Sequence, residues 1–320
     1  MFRFMLCIAA VALVGESVPS HAPAAVPVAP VVASPVADAP DVRTLLAEAA
    51  GAPPQLCLLA ARSVGNSGWL RGGRAPVHPL SAANDPADED GDRNLSDADT
   101  TFLLDQLATG NGCTREIAVQ FLARYDNAAS LAGLTHHLSS PDAELRGVAA
   151  LGLGMIGDPA SVTPLLRLVG DAASAPRINA VWALGRIGDG RAYPAVERAL
   201  DDDDALVRDA AAGALGQLDS TAAIAALSRH LRNDAAPSVR RTSAWALAQL
   251  DASAALPTLG DALARDADAG VRDMAAWAIG NIDKAGADAA LLQAARSDQD
   301  AKVRESAVWA LGQREDASNA

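Results

Sequence analysis

Apolar and polar positions follow a fixed helical pattern around a series of arginines in roughly the last two-thirds of the chain. Counted from each arginine as position zero, the apolar positions are −1, +3, +6, +7 and +10. At about 100° per residue these positions lie on one side of an α-helix, which predicts one buried stripe per helix. The arginines stand 31 or 32 residues apart: Arg115, Arg146, Arg177, Arg208, Arg240, Arg272 and Arg304.

A leucine-rich second helix is predicted after each arginine helix, as in residues 161–169 and 255–263. A constant period of this size is typical of stacked repeats, in which each unit buries its apolar face against its neighbours. The sequence therefore predicts an all-α fold, a right-handed α-solenoid of about seven two-helix repeats over residues 114–320. The last repeat is expected to stop after its first helix, with the polar Arg314 at an otherwise apolar position as an end cap.

Residues 41–113 do not follow the repeat and predict an irregular N-terminal helical cap with an acidic loop. Helices are expected at 41–50 and 55–64. A third helix is expected after Ser96, because Asp99 stands at the position that completes a capping box. The stretch between the second and third helices is rich in Gly, Pro, Asn and Asp and predicts a loop. A repeat at the end of a stack lacks one neighbour, so a covering segment is expected there.

The first 22 residues have the features of a secretory signal peptide: Arg3, an apolar run, and the small-x-small motif Ser20-His21-Ala22. The apolar run is shorter than the ~20 residues of a membrane span. Retention of this segment as an anchor is the alternative to its cleavage. Residues 23–40 are rich in Pro and Ala and predict an extended linker. With an Ala- and Arg-rich composition, we expect a bacterial protein that is periplasmic or secreted.

The cysteines outside the signal segment are Cys57 and Cys113. Export would place them in an oxidising compartment, where disulfides persist. A disulfide between them would tie the cap to the first repeat. The alternative is a pair of small buried thiols, since reduced cysteine is common in apolar cores.

An acidic column accompanies the arginines. Aspartate stands six residues before five of them, close to where the arginine helices begin: Asp171, Asp202, Asp234, Asp266 and Asp298. The pattern predicts a structural ladder in which arginines pair with neighbouring aspartates and the aspartates cap helix N-termini. The ladder arginines are Arg146, Arg177, Arg208, Arg240, Arg272 and Arg304. A row of arginines that binds anions is the alternative.

Position +5 holds four of the five tryptophans, although it lies about 145° from the centre of the predicted buried stripe. They are Trp182, Trp245, Trp277 and Trp309. We expect an exposed row, and exposed apolar rows with polar borders mark interaction sites. The bordering positions +1, +2 and +9 extend this predicted partner-binding surface with Met155, Arg186, Gln217, Gln249, Met274, Asn281 and Gln313. The alternative is that each ring only packs across an adjacent repeat.

The repeat motif x-Val-Arg-x-x-Ala-Ala-x-Ala-Leu-Gly-x-Ile-Gly-Asp resembles HEAT-like repeats of the phycobilisome-lyase type. The resemblance covers roughly residues 114–313. It implies that the arginine helices line the concave side of a curved solenoid. The family includes chromophore lyases, hydroxylases and plain scaffolds, so the resemblance leaves an oxidoreductase or a lyase as an alternative function.

Charge and motifs argue against several functions. The net charge of −13 does not fit nucleic-acid binding, which needs a basic patch. Hydroxylases of the family use His-Glu pairs as iron ligands, and the chain contains no His-Glu dipeptide. Residues 152–157 match Gly-x-Gly-x-x-Gly, but a dinucleotide site would need a preceding strand, which the repeat does not predict. We therefore expect no catalytic residues, no metal and no cofactor.

These observations favour an exported scaffold that binds a protein or peptide in the concave groove of the solenoid. A lyase or oxidoreductase is the alternative, on the family resemblance alone. Glycan binding along the tryptophan row is a second alternative, because aromatic platforms suit sugars.

Overall fold

The computed structural model describes residues 42–51, 95–124, 127–282 and 288–318. Contacts divide the chain into two units, Met1–Pro40 and Asp41–Ala320, and all described residues belong to the second. These residues form fifteen α-helices and four short 3-10 helices, with no strand among them. The predicted signal peptide, linker, second cap helix and acidic loop lie outside the described residues.

The helices, numbered in chain order, fall into three groups. Two belong to the N-terminal segment, α1 (Val42–Ala50) and α2 (Asp97–Thr109). Seven carry the repeat arginines: α3 (Gly112–Arg124), α5 (Ala143–Ile156), α7 (Ser174–Ile187), α9 (Ala205–Gln217), α11 (Pro237–Gln249), α13 (Ala269–Asn281) and α15 (Ala301–Ser318). The second helices of the repeats are α4 (Ala128–His137), α6 (Val162–Leu168), α8 (Tyr193–Ala199), α10 (Ile224–Asn233), α12 (Leu256–Arg265) and α14 (Asp288–Ser297).

The repeats stack in two layers. Each arginine helix packs against the arginine helices before and after it, and the second helices cover the other side of this layer. Helices α1 and α2 pack on α3, the first arginine helix. The predicted all-α solenoid is therefore confirmed, as six helix pairs followed by α15.

Helix α11 shows that the predicted stripe forms the core. Its residues at positions −1, +3, +6, +7 and +10 are Val239, Ser243, Ala246, Leu247 and Leu250, and all five are buried. These are the positions that face the neighbouring helices in a two-layer stack, so the helical period of the sequence predicts them correctly.

The chain leaves the arginine helices through a left-handed residue. Gly157 and Gly188 have φ angles of 77° and 72°, as expected for glycine just past a helix end. In the next two repeats Asp219 and Asp251 adopt the same region, with φ angles of 49° and 44°. Aspartate tolerates this conformation better than most residues, so the turn is kept without glycine.

The start of α2 also follows the sequence prediction. Ser96 is its N-cap and accepts a hydrogen bond from the Asp99 N–H at 3.1 Å. The Ser96 hydroxyl donates to Asp99 Oδ2 at 2.6 Å. Arg43 of α1 contacts Asp99 Oδ1 at 3.3 Å, which ties the two N-terminal helices together.

A ladder of arginines and aspartates joins successive repeats. Arg208 donates from Nε and Nη2 to the two carboxylate oxygens of Asp234, at 2.8 and 3.0 Å. Its Nη1 donates to the carbonyl of Asp202 at 2.8 Å, at the start of its own repeat. The same bidentate pair recurs as Arg146–Asp171, Arg177–Asp202, Arg240–Asp266 and Arg272–Asp298.

The expected capping role of these aspartates is wrong. Asp234 stands two residues before Ala236, the N-cap of α11, and accepts from the Ala236 N–H at 2.9 Å. Its carboxylate is already held by the arginine of the preceding repeat, so it shapes the turn that leads into the helix. Where an aspartate does cap, it stands two positions later, as Asp204 and Asp268 do.

The pairing lowers the pKa of the ladder carboxylates. The hydrogen bond from Arg146 holds the pKa of Asp171 below its ordinary value of 3.8, and that from Arg272 does the same to the pKa of Asp298. A depressed folded-state pKa contributes stability that is complete above the ordinary pKa and is lost as the pH falls through the lowered one. The ladder therefore weakens in acid, below about pH 4.

Close approach of the arginine helices depends on glycine at particular positions. A Cβ atom on Gly154 of α5 would lie 2.6 Å from both the Cα of Ala183 and Cζ3 of Trp182 on α7. Such distances are too short for any side chain, so the backbone of α7 would have to move. A Cβ on Gly213 would meet Thr242 Cγ2 at 3.6 Å, an ordinary contact.

We therefore predict opposite effects for two glycine substitutions in helix interiors. Gly154→Ala lowers the free energy of unfolding by about 1 kcal/mol or more, because the cost of overpacking exceeds the gain in helix propensity. Gly213→Ala leaves it unchanged or raises it by up to about 1 kcal/mol. Urea denaturation measures both, and equal effects would contradict the packing described for Gly154.

A second prediction separates ladder carboxylates from exposed ones. Asp234→Asn leaves the half-buried Arg208 fork without its anion and lowers the free energy of unfolding by about 3 kcal/mol. Asp261→Asn breaks the exposed pair with Arg265 and costs less than about 0.5 kcal/mol. Thermal and urea unfolding of the two variants provide the measurement; a loss below 1 kcal/mol for Asp234→Asn would show that the ladder stabilises little.

Candidate functional site

The four tryptophans of position +5 lie on the same face of the arginine-helix layer, but they differ in accessibility. Trp182 and Trp245 are 7% and 5% exposed, Trp277 is half-buried, and Trp309 is 39% exposed. The expectation of a uniformly exposed row is therefore wrong for Trp182 and Trp245.

Neighbouring repeats explain this burial. The Cζ3 edge of Trp182 lies against Gly154, and that of Trp245 against Gly216, in each case on the preceding arginine helix. A helical wheel with one buried stripe represents a helix with neighbours on one side only. An arginine helix inside the stack has a neighbour on each flank, so a large side chain at position +5 reaches sideways into a second buried surface.

An open cleft lies beside Trp245, between α11, α13 and α15. Its volume is about 390 Å³. Trp245, Met274 and Trp277 give it an apolar wall. The lining is completed by Arg241, Ala269, Gly270, Asp273, Asp300, Lys302 and Ser306. Three of the predicted partner-binding residues are thus brought together in one concave site.

The two carboxylates of the cleft have partners within it. Asp273 accepts from the Ser306 hydroxyl at 2.5 Å and contacts Lys302 Nζ at 3.3 Å. Asp300 accepts from the backbone N–H groups of Lys302 and Val303, at 2.8 and 3.3 Å, at the start of α15. These contacts fix the acidic side of the cleft.

Two side chains of α11 at the cleft carry buried donors without an acceptor in the described part of the chain. They are Nε of Arg241 and Nε1 of Trp245. Arg241 is half-buried, and Nη1 lies 3.8 Å from where a Cβ of Gly270 would stand. Buried polar groups are normally hydrogen-bonded, so two unsatisfied donors on one helix need an explanation.

The remaining predicted surface residues do not reach this cleft. Met155 is half-buried against the core, and a Cβ on Gly185 would lie 3.0 Å from Gln217 Oε1. Arg186 is exposed, with its Cζ 5.9 Å from the ring centroid of Trp182. Gln249, Asn281 and Gln313 are also exposed.

Arg241, Asp273, Lys302 and Ser306 were not among the predicted site residues. Arg241 and Asp273 occupy position +1, which is only about 40° from the tryptophan position on a helical wheel. Arg241 is the only arginine at this position in the seven repeats. That departure from the repeat was the available signal.

Cys113 is disulfide-bonded. Its partner lies outside the described residues, so pairing with Cys57 remains a prediction.

No group of three or more His, Cys, Asp or Glu side chains in the described ranges has an arrangement that could hold a metal ion. None of the helices described is both long enough and apolar enough to cross a membrane.

Comparison with known families identifies the repeat. A family model described as HEAT repeats matches residues 100–176, 167–241 and 229–312, well over half of the 320 residues. The chain belongs to the HEAT repeat family. The predicted HEAT-like resemblance is thereby confirmed, and a HEAT solenoid supports a protein-binding scaffold in general terms. A comparison with curated proteins finds no match.

Solved structures include other helical-repeat proteins. YibA of Escherichia coli is 15% identical, with a TM-score of 0.53 over 88% of this chain and 99% of YibA. The CpcE–CpcF complex of phycocyanin lyase from Nostoc sp. PCC7120 is 21% identical, with a TM-score of 0.46 over 74% of this chain and 96% of that chain. A designed armadillo repeat protein in complex with the peptide (KR)4 is 24% identical, with a TM-score of 0.46 over 57% and 99%. At such identities the likeness to YibA shows the fold alone.

Burial predicts different roles for the two cleft tryptophans. Trp245→Ala removes a ring packed between helices and lowers the free energy of unfolding by about 3–5 kcal/mol. Trp277→Ala removes a half-exposed ring and costs less than half as much. Urea unfolding compares them directly, and a cost for Trp277→Ala equal to that for Trp245→Ala would show that both rings serve packing alone.

Proposed function

We propose that this protein is an exported scaffold that binds a segment of another protein in the cleft between α11, α13 and α15. The observation that carries the proposal is the cleft itself, with Trp245, Met274 and Trp277 on one wall and charged groups on its border. Tryptophan, methionine and arginine are enriched in protein interfaces, where large apolar side chains surrounded by polar groups supply most of the affinity.

The size of the cleft limits what it holds. A volume of about 390 Å³ lies near the lower end of ordinary ligand pockets, which span about 300–1,000 Å³. It accommodates a few side chains of a peptide rather than a folded domain. The remaining contacts would come from the arginine-helix face on either side, which extends over several repeats.

Two observations support export. The first 22 residues have the composition of a signal peptide. The disulfide at Cys113 is typical of proteins that fold in an oxidising compartment. We therefore place the proposed binding activity in the periplasm or outside the cell.

A binding role is proposed in preference to the two alternatives. The chain contains no His-Glu dipeptide, which the hydroxylase interpretation of the resemblance required. Glycan binding along a row of tryptophans would need several accessible ring faces. Trp182 and Trp245 do not offer such faces, because they are packed between helices.

Panning a library of random dodecapeptides against the full chain tests this proposal. Selected peptides are expected to bind the wild-type protein and to lose about 10-fold or more in affinity to Trp277→Ala and Met274→Ala. Gln293→Ala, on the exposed side of α14, is the matched control and is expected to bind normally. Fluorescence anisotropy gives the Kd values. Peptides that bind both cleft variants as tightly as they bind the wild-type protein would show that binding occurs elsewhere, which contradicts the proposal.

A further inference from the structure

We infer that the cleft selects protein segments that carry an acidic side chain, and that the carboxylate of this side chain binds Arg241. The inference rests on the proposed function and adds the chemical class of the partner. It follows from a difference between two adjacent arginines. Among the described residues Arg241 has no hydrogen-bond acceptor, whereas Arg240 has several.

Arg240 and Arg241 are adjacent but differ in their contacts. Arg240 donates from Nε and Nη2 to Asp266, and from Nη1 to the carbonyl of Asp234. Arg241 has neither an ion pair nor a hydrogen bond with any described residue, and its Nε is buried. A half-buried guanidinium loses part of its hydration, and only an acceptor compensates this loss.

The two aspartates that line the cleft and the aspartate that caps α13 do not supply that acceptor. Asp273 is held by Ser306 and Lys302. Asp300 is held by backbone N–H groups of α15. Asp268, near the same end of α13, accepts from the Val271 N–H at 3.0 Å as the N-cap of that helix. The guanidinium is thus the charged group of the cleft that is left for a ligand.

Gly270 places no side chain in the approach to this guanidinium. A Cβ at this position would lie 3.1 Å from Oδ1 of Asp268 and 3.8 Å from Nη1 of Arg241, so a longer side chain would fill the approach. A carboxylate fits the planar fork of a guanidinium with two parallel hydrogen bonds, which makes it the acceptor that arginine binds best.

Trp245 also lines the cleft and carries a second donor without an acceptor in the described ranges. Its Cζ3 edge lies against Gly216 of α9, and Nε1 is on the opposite edge of the indole, which turns away from α9. Nε1 is buried and finds no acceptor among the described residues. Because Nε1 is shielded from solvent, it is not a contact for the occupant, and Arg241 carries the recognition.

The net charge of −13 opposes the approach of an acidic segment from a distance. Screening limits this opposition, because the Debye length is about 8 Å at physiological ionic strength. Within the cleft, the local contact with Arg241 decides the preference.

The peptides selected against the full wild-type chain test the inference through their composition. Asp or Glu is expected to recur at one position. Replacing that residue of the peptide by Asn or Gln should weaken its binding to the wild-type protein about 10-fold or more. The same replacement should weaken its binding to the Arg241→Gln variant less than 2-fold. Arg265→Gln, at the exposed pair on α12, is the control and should respond like the wild type. Thermal unfolding checks that the variants are folded, and each peptide is measured with an amidated and with a free C-terminus.

The outcomes separate the inference from the proposed function. Peptides that need Trp277 but show no preference for Asp or Glu would overturn the inference and leave the proposed function standing. Absence of any peptide that binds through the cleft would overturn both. Binding that requires a free C-terminal carboxylate would show that Arg241 binds a chain end rather than an acidic side chain. Self-association of the protein that is abolished by Arg241→Gln would show that the occupant is a second copy of this chain. Either result would overturn the inference.

Discussion

The bidentate bond from five of the seven repeat arginines to an aspartate of the next repeat sets the relation between neighbouring repeats. Asp234 shows how continuous this connection is: its carboxylate holds Arg208 of the preceding repeat, and its carbonyl accepts from Arg240 of its own. The pairs are largely shielded from solvent, with side-chain exposures of 16% for Arg208 and 3% for Asp234. Each repeat is therefore positioned by directional bonds as well as by apolar burial, which has no direction.

This fixed spacing determines what the arginine-helix face can present. Helices held so close leave room only for glycine at Gly154 and would crowd a Cβ at Gly216, and the tryptophans of the following helices fill the space beside them. A surface built from identical repeats would be uniform along its length. The cleft exists where the repeats differ, since Arg241, Gly270 and Met274 replace residues of other size or charge at the same positions. The fold is shared across a family, and the site is specific to these three helices.

Sequence and structure agree most closely where one local rule applies. The apolar positions around Arg240, the left-handed Gly157 and the Ser96 capping box each depend on residues within one helix or turn. The pairing of arginines with aspartates could be predicted from their opposite charges. The role of Asp234 in its turn was not, because the arginine that engages its carboxylate comes 26 residues earlier in the chain.

The sequence by itself determined the repeat period, the all-α solenoid and the residues of its core, because the helical spacing of apolar residues is a local property that stacking preserves. Only the tertiary structure decided which tryptophans are accessible and that Arg241 faces a cleft without a partner carboxylate among the described residues. These properties depend on three helices at once. The helical wheel of a single segment places a side chain on a face but does not contain the neighbours that bury it, pair with it or leave it open.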